Sequence, residues 1–374
     1  MVLTIWKCIK EYPYFVPDKV IDSASAVIWC ERFQEPGEFQ FRLKATQELL
    51  HYFTDNELLI TRAGTDYSMI PERMDLTVSR ENGNYLTVSG RSAESLAHRR
   101  IIMQDCTIQY HPNGAAMLYW LYQENISNHW YNYTDPDHPE SQKYRHIPFL
   151  QVGTVTELPD PENFDINAQP FCENLGEFTE TICKACDDGY RVRFDKTEKK
   201  MLYEFYRGED RSDTVIFSKD FQNLGDTVYS FDRRTYFNSV LVAGEGSGQD
   251  RVRHSARNEE IGSGLTLREK YVDAHNISSN TKNENGEEIT EVIYNILVKK
   301  MALTELYASK ETISFDGEIV PGGQFEYRKD YSLGDKVTVQ NEFGIKGAAT
   351  VTAVTESEDE NGYIVVPEFS EWVV

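Results

Sequence analysis

Cys183 and Cys186 make the one Cys-x-x-Cys spacing of the chain, the pattern with most claim to metal or redox chemistry. Two thiolates at that spacing fill half of a structural zinc site, which takes four ligands. No second pair exists, because the other cysteines are Cys8, Cys30, Cys106 and Cys172. The motif also falls on an amphipathic helical pattern, where cysteine acts as a small buried hydrophobe. A thioredoxin-like role would need a βαβ setting that the flanking sequence does not supply. Asp135, Asp137, His138, Glu140 and His146 offer hard and nitrogen ligands, but their spacing fits neither an EF-hand nor a zincin, and a solvated loop is the better reading. Gly244-Glu245-Gly246-Ser247-Gly248 has neither the register of a nucleophile elbow nor the lysine of a P-loop. The run Glu356-Ser357-Glu358-Asp359-Glu360 reads as a hairpin tip, with a weak calcium site as the alternative. The 61 acidic residues always offer carboxylate pairs, yet no pattern selects one for glycoside hydrolysis. No catalytic residue, metal or cofactor is assigned, and a non-enzymatic protein is expected.

The elements that would position such groups follow from composition and periodicity. The chain has 374 residues, 40% hydrophobic and 12% aromatic, enough to bury real cores in two or three domains. Its 22 Tyr and 19 Phe suit half-buried strands and large interfaces. The net charge of -23 argues against gripping nucleic acid, where phosphate neutralisation supplies affinity. Solubility accounts for that charge; the sharper alternative is an acidic surface lining a passage that must not hold DNA. Six scattered cysteines make no disulfide framework. Neither a secretory leader nor a membrane anchor is read from the sequence.

The first hundred residues read mainly as strands. Phe39 to Ala45 alternates apolar and polar, and Leu58-Leu59-Ile60 follows a polar turn at Thr54-Asp55-Asn56. Asp75–Ser79 and Tyr85–Ser89 flank Asn82-Gly83, a hairpin signal because both turn residues tolerate positive φ. Ser92 is placed as the N-cap of a helix reaching Arg100. Further helices are expected from Asn113 to about Glu124 (with Met117, Trp120 and Leu121 on its apolar face) and over about Glu173–Asp187, stopped by Gly189. The second carries Leu175, Phe178, Ile182 and Ala185 on one face. Tyr190–Phe194 and Met201–Tyr206 form a hairpin, and Thr214–Phe217 and Ser239–Ala243 are short strands. Glu245–Gly264, Tyr131–Pro148, Pro159–Pro170 and Ser278–Glu288 read as loops. A long helix over residues 290–309 turns Val292, Ile296, Leu303 and Leu306 to one side. The end, Lys336 to Val366, returns to strands.

An internal repeat organises these elements. Asp55–Ile60 resembles Gly334–Val339, and the Asn82-Gly83 and Asn361-Gly362 turns follow at the same numbering offset. The alternative is that any two β-meanders look alike. The repeat makes the fold class β-rich α+β: two similar small β-barrel domains, a mixed α+β insert, and a long helix before the final barrel strands. The expected division is 1–97 for the first barrel, 98–213 for the insert and 214–374 for the second barrel.

Four local patterns in order carry a resemblance. Gly90-Arg91-Ser92 leads into Arg99-Arg100-Ile101-Ile102, and Tyr206-Arg207-Gly208-Glu209-Asp210-Arg211-Ser212 leads into Val215-Ile216-Phe217-Ser218 and Asn223-Leu224. Ser263-Gly264-Leu265 precedes Arg268-Glu269 and Asp273, and Asp330-Tyr331-Ser332-Leu333-Gly334-Asp335-Lys336 stands near the end. Together they resemble the siphovirus Gp37-like tail proteins, which look in fold like the baseplate hub of contractile-tailed phages. The resemblance covers nearly the whole chain.

The resemblance implies architecture, not catalysis. It implies a homotrimer whose paired barrels build a pseudo-sixfold ring at the virion tail tip, adapting a six-fold tail tube to a three-fold tip. The implied partners are further copies of the chain, a tail-tube or distal tail protein, a tape-measure protein and a tip or spike protein, with DNA passing through the pore unbound. Roles for motif residues are structural. Gly208 is expected to permit a tight turn. Asp210 and Arg211 are expected to pair across that turn or a subunit boundary, unless they belong to a solvated hairpin. Gly334-Asp335 is expected to start a strand, and Arg99 and Arg100 to favour a helix dipole or bind a partner carboxylate. Two other readings stand beside this one: a tail-associated glycan hydrolase, and a carbohydrate-binding protein using Trp120, Trp130, Tyr131 and Tyr133.

Overall fold

A computed structural model of the chain describes residues 1–80, 83–103, 108–111, 114–127, 145–153, 166–168, 170, 172–258, 264–275, 291–320 and 324–370. It divides into two compact units, Met1–Thr227 with Asp316–Val374, and Val228–Phe315. The fold is β-rich with few helices.

The first unit opens with β1 (Leu3–Cys8), β2 (Phe15–Ile21), β3 (Ala26–Arg32), β4 (Glu38–Lys44), helix α1 (Gln47–Thr54), β5 (Leu58–Arg62), β6 (Ser68–Ser79) and β7 (Gly83–Ser92). In β4 the alternation of the sequence is the alternation of burial, with Phe39, Phe41 and Leu43 inside. The helix α1 corrects the reading of that segment as leading only to a polar turn. Thr46 caps it by accepting from the Leu49 N–H at 3.2 Å, and Asp55 ends it. Gly83 has φ +80 and opens β7, with Leu76 opposite Leu86 in the hairpin; Asn82 lies outside the described residues.

A 3-10 helix, Ala93–Arg99, follows where a helix was expected, but Ser92 does not cap it. Its hydroxyl instead accepts from the Gly37 N–H at 2.7 Å, a long-range bond that local sequence does not reveal. Next come β8 (Ile108–His111), α2 (Gly114–Tyr122), a π-turn at Gln123–Ser127, β9 (Leu150–Val152), β10 (Ile166–Ala168), α3 (Leu175–Cys186), β11 (Gly189–Asp195) and β12 (Lys200–Tyr206). Trp120 is 42% exposed, so it is not part of the helix core as expected; Ala115, Met117, Leu118, Leu121 and Tyr122 are. Asn174 caps α3 by accepting from Gly176 and Glu177, and Asp187, at φ 56, terminates it before Gly189 is reached. Ala185 faces out, and its expected place in the buried stripe is taken by Cys183 and Cys186, both free thiols. The α3 stripe, the inner faces of β11 and β12, and Trp6, Phe15 and Leu59 from the N-terminal strands form one core.

The chain continues through β13 (Ile216–Ser218) and β14 (Leu224–Asp232) into the second unit. There β15 (Ser239–Ala243) is flanked by antiparallel β16 (Arg253–Arg257) and parallel β17 (Glu269–Asp273). β16 corrects the reading of Glu245–Gly264 as loop throughout. Arg253, Ser255 and Arg257 point away from the core and only Ala256 is buried, so no hydrophobic alternation betrayed this edge strand. Helix α4 (Glu291–Ala308) covers one face of that sheet. The helix lies where it was expected, but its buried side is Tyr294, Val298, Ala302 and Leu306, whereas Ile296 and Leu303 are exposed. Apolar residues occur all around it, so periodicity alone could not choose the face.

The chain returns through β18 (Thr312–Ile319), which pairs with β14, to β19 (Lys336–Gln340), β20 (Lys346–Asp359) and β21 (Gly362–Phe369). An eleven-stranded sheet results in the order β13-β19-β20-β3-β4-β7-β6-β5-β1-β2, with β21 also on β20. Neighbours are antiparallel except β13 and β19. Strands from both ends of the sequence thus share one sheet. The segments β5-β6-β7 and β19-β20-β21 are both antiparallel meanders at the shared numbering offset. Their middle strands carry register shifts within one residue of matching places, Pro71/Arg73 and Val351/Ala353. No closed barrel is formed among the described residues.

Truncating the buried side of α4 should separate from truncating the exposed side. Val298→Ala is expected to destabilise the second unit by about 1–3 kcal/mol and Ile296→Ala by at most about 0.5. Hydrogen exchange of the β15–β17 amides reports the difference.

Candidate functional site

Two of the motif segments, far apart in sequence, meet at one backbone crossing. A Cβ built on Gly208 would lie 2.0 Å from the carbonyl carbon and oxygen of Gly334 and 2.4 Å from the Asp335 nitrogen. No other residue fits there without moving backbone. Gly334 has φ +87, and a Cβ on it would strike the Phe33 ring at 2.4 Å. Both glycines therefore serve a close approach.

Asp335 organises the crossing. It is 3% exposed. Its Oδ1 accepts from the Glu209 N–H and its Oδ2 from the Ser332 N–H, both at 2.8 Å. The Arg211 Nε lies 3.0 Å from Oδ2. The Lys336 N–H donates to the Glu209 carbonyl at 2.9 Å, and the Arg211 N–H to the Lys336 carbonyl at 2.8 Å. Arg211 also pairs with Glu209 at 2.8 Å. Asp210 does not pair with Arg211; it accepts from the Ser212 hydroxyl at 2.6 Å and the Ser212 N–H at 3.0 Å. Those donors hold its carboxyl below the usual range. The structure thus joins Gly208, Asp210, Arg211, Gly334 and Asp335 in one place.

Arg99 and Arg100 lie elsewhere. Arg99 shares Glu72 with Arg91, at 2.8 Å and 2.7 Å. Arg100 donates to the Arg145 and Arg99 carbonyls. Of the ligand-like residues, His146 Nδ1 is 3.2 Å from the Ile126 carbonyl; Asp135, Asp137, His138 and Glu140 fall outside the described residues. No cluster of three or more metal-binding side chains occurs among the described residues.

Sequence reasoning missed a buried ion cluster. Glu31 on β3 and Glu356 on β20 are 1% and 2% exposed. Glu31 accepts from the Trp29 indole at 2.9 Å, Thr65 at 3.0 Å, Tyr327 at 2.9 Å and Arg328 at 2.7 Å. Arg328 Nη2 lies 2.8 Å from Glu356 as well, and Arg62 on β5 pairs with Glu356. Burial alone would raise the Glu356 carboxyl, but Arg62 and Arg328 hold it low. This reassigns Glu356, which does not belong to a hairpin-tip run; of that run, Asp359 makes the tip contact, accepting from the Asn361 N–H. The available signal was a carboxylate on the inward phase of an apolar strand, as in Val27-x-Trp29-x-Glu31. Between β5 and β20 the sheet order places β6, β7, β4 and β3. In a flat sheet at about 4.8 Å per strand their side chains would lie roughly 24 Å apart. Their contact shows that the sheet curls over itself.

The fold and this site define a class: a β-rich protein held together by long-range polar crossings. The chain resembles the 43 kDa tail protein of prophage MuSo2 from Shewanella oneidensis, with TM-score 0.51 and 13% identity over 99% of this chain and 98% of that one. It is similar to a tail protein from Neisseria meningitidis, with TM-score 0.53 and 10% identity over 99% and 96% of the two chains. It is also similar to prophage tail protein gp18 from Listeria monocytogenes, with TM-score 0.51 and 10% identity over 100% and 95%. The Siphovirus ReqiPepy6 Gp37-like protein family matches residues 17–369, and the chain belongs to that family. No curated protein matches the sequence. No helix among the described residues is long and apolar enough to cross a membrane.

Three substitutions test the energetics. Gly208→Ala is expected to cost about 2–3 kcal/mol in urea unfolding, because backbone must move. Asp335→Asn, which puts an amide where two N–H groups and a guanidinium converge, should cost a similar roughly 2–3 kcal/mol. The third is Glu94, 1% exposed, whose Oε1 accepts from the Val192 N–H at 2.6 Å while Oε2 has no hydrogen-bond partner among the described residues. Burial raises its carboxyl from 4.5 to about 7. Between those values the unfolded chain has released the proton and the folded chain has kept it, so stability falls as pH rises through that window and is level above it. Glu94→Gln removes this fall, and its stability relative to wild type should improve by about 3 kcal/mol from pH 4.5 to pH 8.

Proposed function

We propose that this chain is a structural subunit of a tail-tip or baseplate hub, with three copies forming a ring that adapts a six-fold tail tube to a three-fold tip. The observation that carries this reading is the repeated meander, β5-β6-β7 and β19-β20-β21, with its nearly matching register shifts. Two similar units per chain are what three copies need to present six similar surfaces. Each meander is read as the strand core of one barrel-like half, completed by neighbouring copies. Among the described residues β6 pairs with β5 only at Ser68 and Met69, and β21 pairs only with β20, so both meanders offer strand edges to a neighbour. Heterologous contacts of that kind close into rings. The role is scaffolding, not catalysis. The partners are a tail-tube or distal tail protein, a tape-measure protein and a spike protein, and a net charge of -23 lets DNA pass without adhering.

Native mass spectrometry of the protein, with imaging of particles that carry it, tests the assignment. The expected result is three copies in a ring at the tail tip. Absence from the tip, or a copy number of six there, overturns it. Disrupting the β6 edge with Val78→Pro, whose N–H faces away from β7, is expected to leave the chain folded and to abolish the ring.

A further inference from the structure

The sheet of the second unit has two open edges. Its order is β16-β15-β17, and among the described residues no strand pairs with the outer side of β16 or of β17. Helix α4 covers one face, where Val240 and Val242 are buried. On the other face the register sets three rows of side chains. Arg253, Ala243 and Asp273 make the first, Ser255, Leu241 and Tyr271 the second, and Arg257, Ser239 and Glu269 the third. Leu241 and Tyr271 are exposed there.

Charge on this face segregates by strand. β16 brings exposed Arg253 and Arg257 to it, and β17 exposed Glu269 and Asp273. The other ionisable groups of the two strands turn to α4, where His254 lies 2.9 Å from Asn295 and Lys270 pairs with Glu305 at 2.8 Å. Before β16, Arg251 reaches the Asp273 Oδ1, and His275 Nδ1 lies 3.3 Å from the same atom. Arg253 donates only to the Gln249 and Arg251 carbonyls. The Asp273 Oδ2 and the side chains of Arg257 and Glu269 have no partner among the described residues.

The backbone is in phase with these charges. The Gly244 N–H donates to the Val252 carbonyl at 2.9 Å, and the Asn258 N–H to the Asn238 carbonyl at 3.1 Å. With those bonds at its ends, β16 turns the peptide groups of His254 and Ala256 toward β15 and those of Arg253, Ser255 and Arg257 outward. At the other edge the Ser239 N–H donates to the Arg268 carbonyl at 3.1 Å, and the Ala274 N–H to the Ala243 carbonyl at 2.8 Å. Glu269, Tyr271 and Asp273 are thereby the outward residues of β17.

We infer that the β16 edge of one copy of this chain adds to the β17 edge of a second copy, with Arg253 opposite Asp273, Ser255 opposite Tyr271 and Arg257 opposite Glu269. β16 and β17 run in opposite directions, so a copy repeated in the same orientation brings them together antiparallel. All three pairs are hydrogen-bonding pairs, and both outer pairs join opposite charges. A slip of two residues either way loses both charge pairs. Like edges paired antiparallel oppose like charges instead, Arg253 to Arg257 across two β16 strands and Glu269 to Asp273 across two β17 strands. Charged edge strands deter pairing in general, but deterrence alone calls for one sign on both edges. Opposite signs admit the head-to-tail contact and disfavour the two-fold ones. The inference goes beyond the ring of three and does not rest on it. These edges belong to the second unit, the meanders belong to the first, and head-to-tail addition fixes no copy number.

Sedimentation velocity of the full-length protein against concentration tests it. Wild type is expected to self-associate, and Arg257→Glu and Glu269→Arg each to weaken association at least about tenfold by opposing like charges. The double variant carrying both substitutions should return to within about threefold of wild type. The two single variants mixed in equal amounts should associate where neither does alone. Among the described residues neither side chain makes an internal bond, so both variants are expected to fold. Ser255→Pro, which removes one outward N–H, should weaken association without changing charge. A monomer at every concentration up to about 0.1 mM overturns the inference. So does association indifferent to both single reversals, or a double variant no better than the singles. Association through the meander edges gives the indifferent result and leaves the ring standing, whereas charge-dependent assembly with a copy number other than three does the reverse.

Discussion

The pairing of Glu31 and Glu356 with Arg62 and Arg328 is the constraint on which the first unit rests. Two carboxylates inside a sheet are tolerable only with guanidinia beside them, since removing one partner of a buried pair costs about 3–5 kcal/mol. The cations come from β5 and from the loop before β19, the anions from β3 and β20. Satisfying them requires the sheet to bend until its distant strands meet. A hydrophobic core would reward many curvatures nearly equally. An ion cluster with fixed donor geometry rewards one.

The Gly208–Gly334 crossing extends that logic to the chain's path. It fastens the segment leaving β12 to the turn entering β19 through backbone bonds and one buried aspartate. Close backbone approach demands glycine at 208, while Gly334 is held to glycine by its φ of +87 and by the Phe33 ring; the ionic partners Glu209 and Arg211 follow Gly208 directly. The core beneath is equally shared. Trp6 and Phe15 pack with Phe194, so the N-terminal strands and the β11–β12 hairpin bury a single aromatic cluster.

What could be read from sequence was what depends on neighbours along the chain. The alternation of β4, the β11–β12 hairpin, the positions of α3 and α4 and the offset meanders all show in local patterns. What could not be read was the identity of distant partners. Ser92 has the right chemistry to cap a helix, yet Gly37 claims its hydroxyl. Ile296 and Val298 are equally apolar, and only the sheet beneath α4 decides which is buried. The ordered motifs marked Gly208, Asp210, Arg211, Gly334 and Asp335 as notable, but their meeting is a property of the folded chain. Glu31, Arg62 and Arg328 passed unnoticed because each charge looks ordinary until the strand that opposes it is known.

The second unit enters and leaves through paired strands, β14 and β18. A segment whose two ends lie side by side behaves as a cassette. It can be lengthened, replaced or lost without changing the separation of the flanking strands, and so without disturbing the register of the eleven-stranded sheet. That topology lets residues 233–311 change in length without moving the strand ends that β14 and β18 hold side by side.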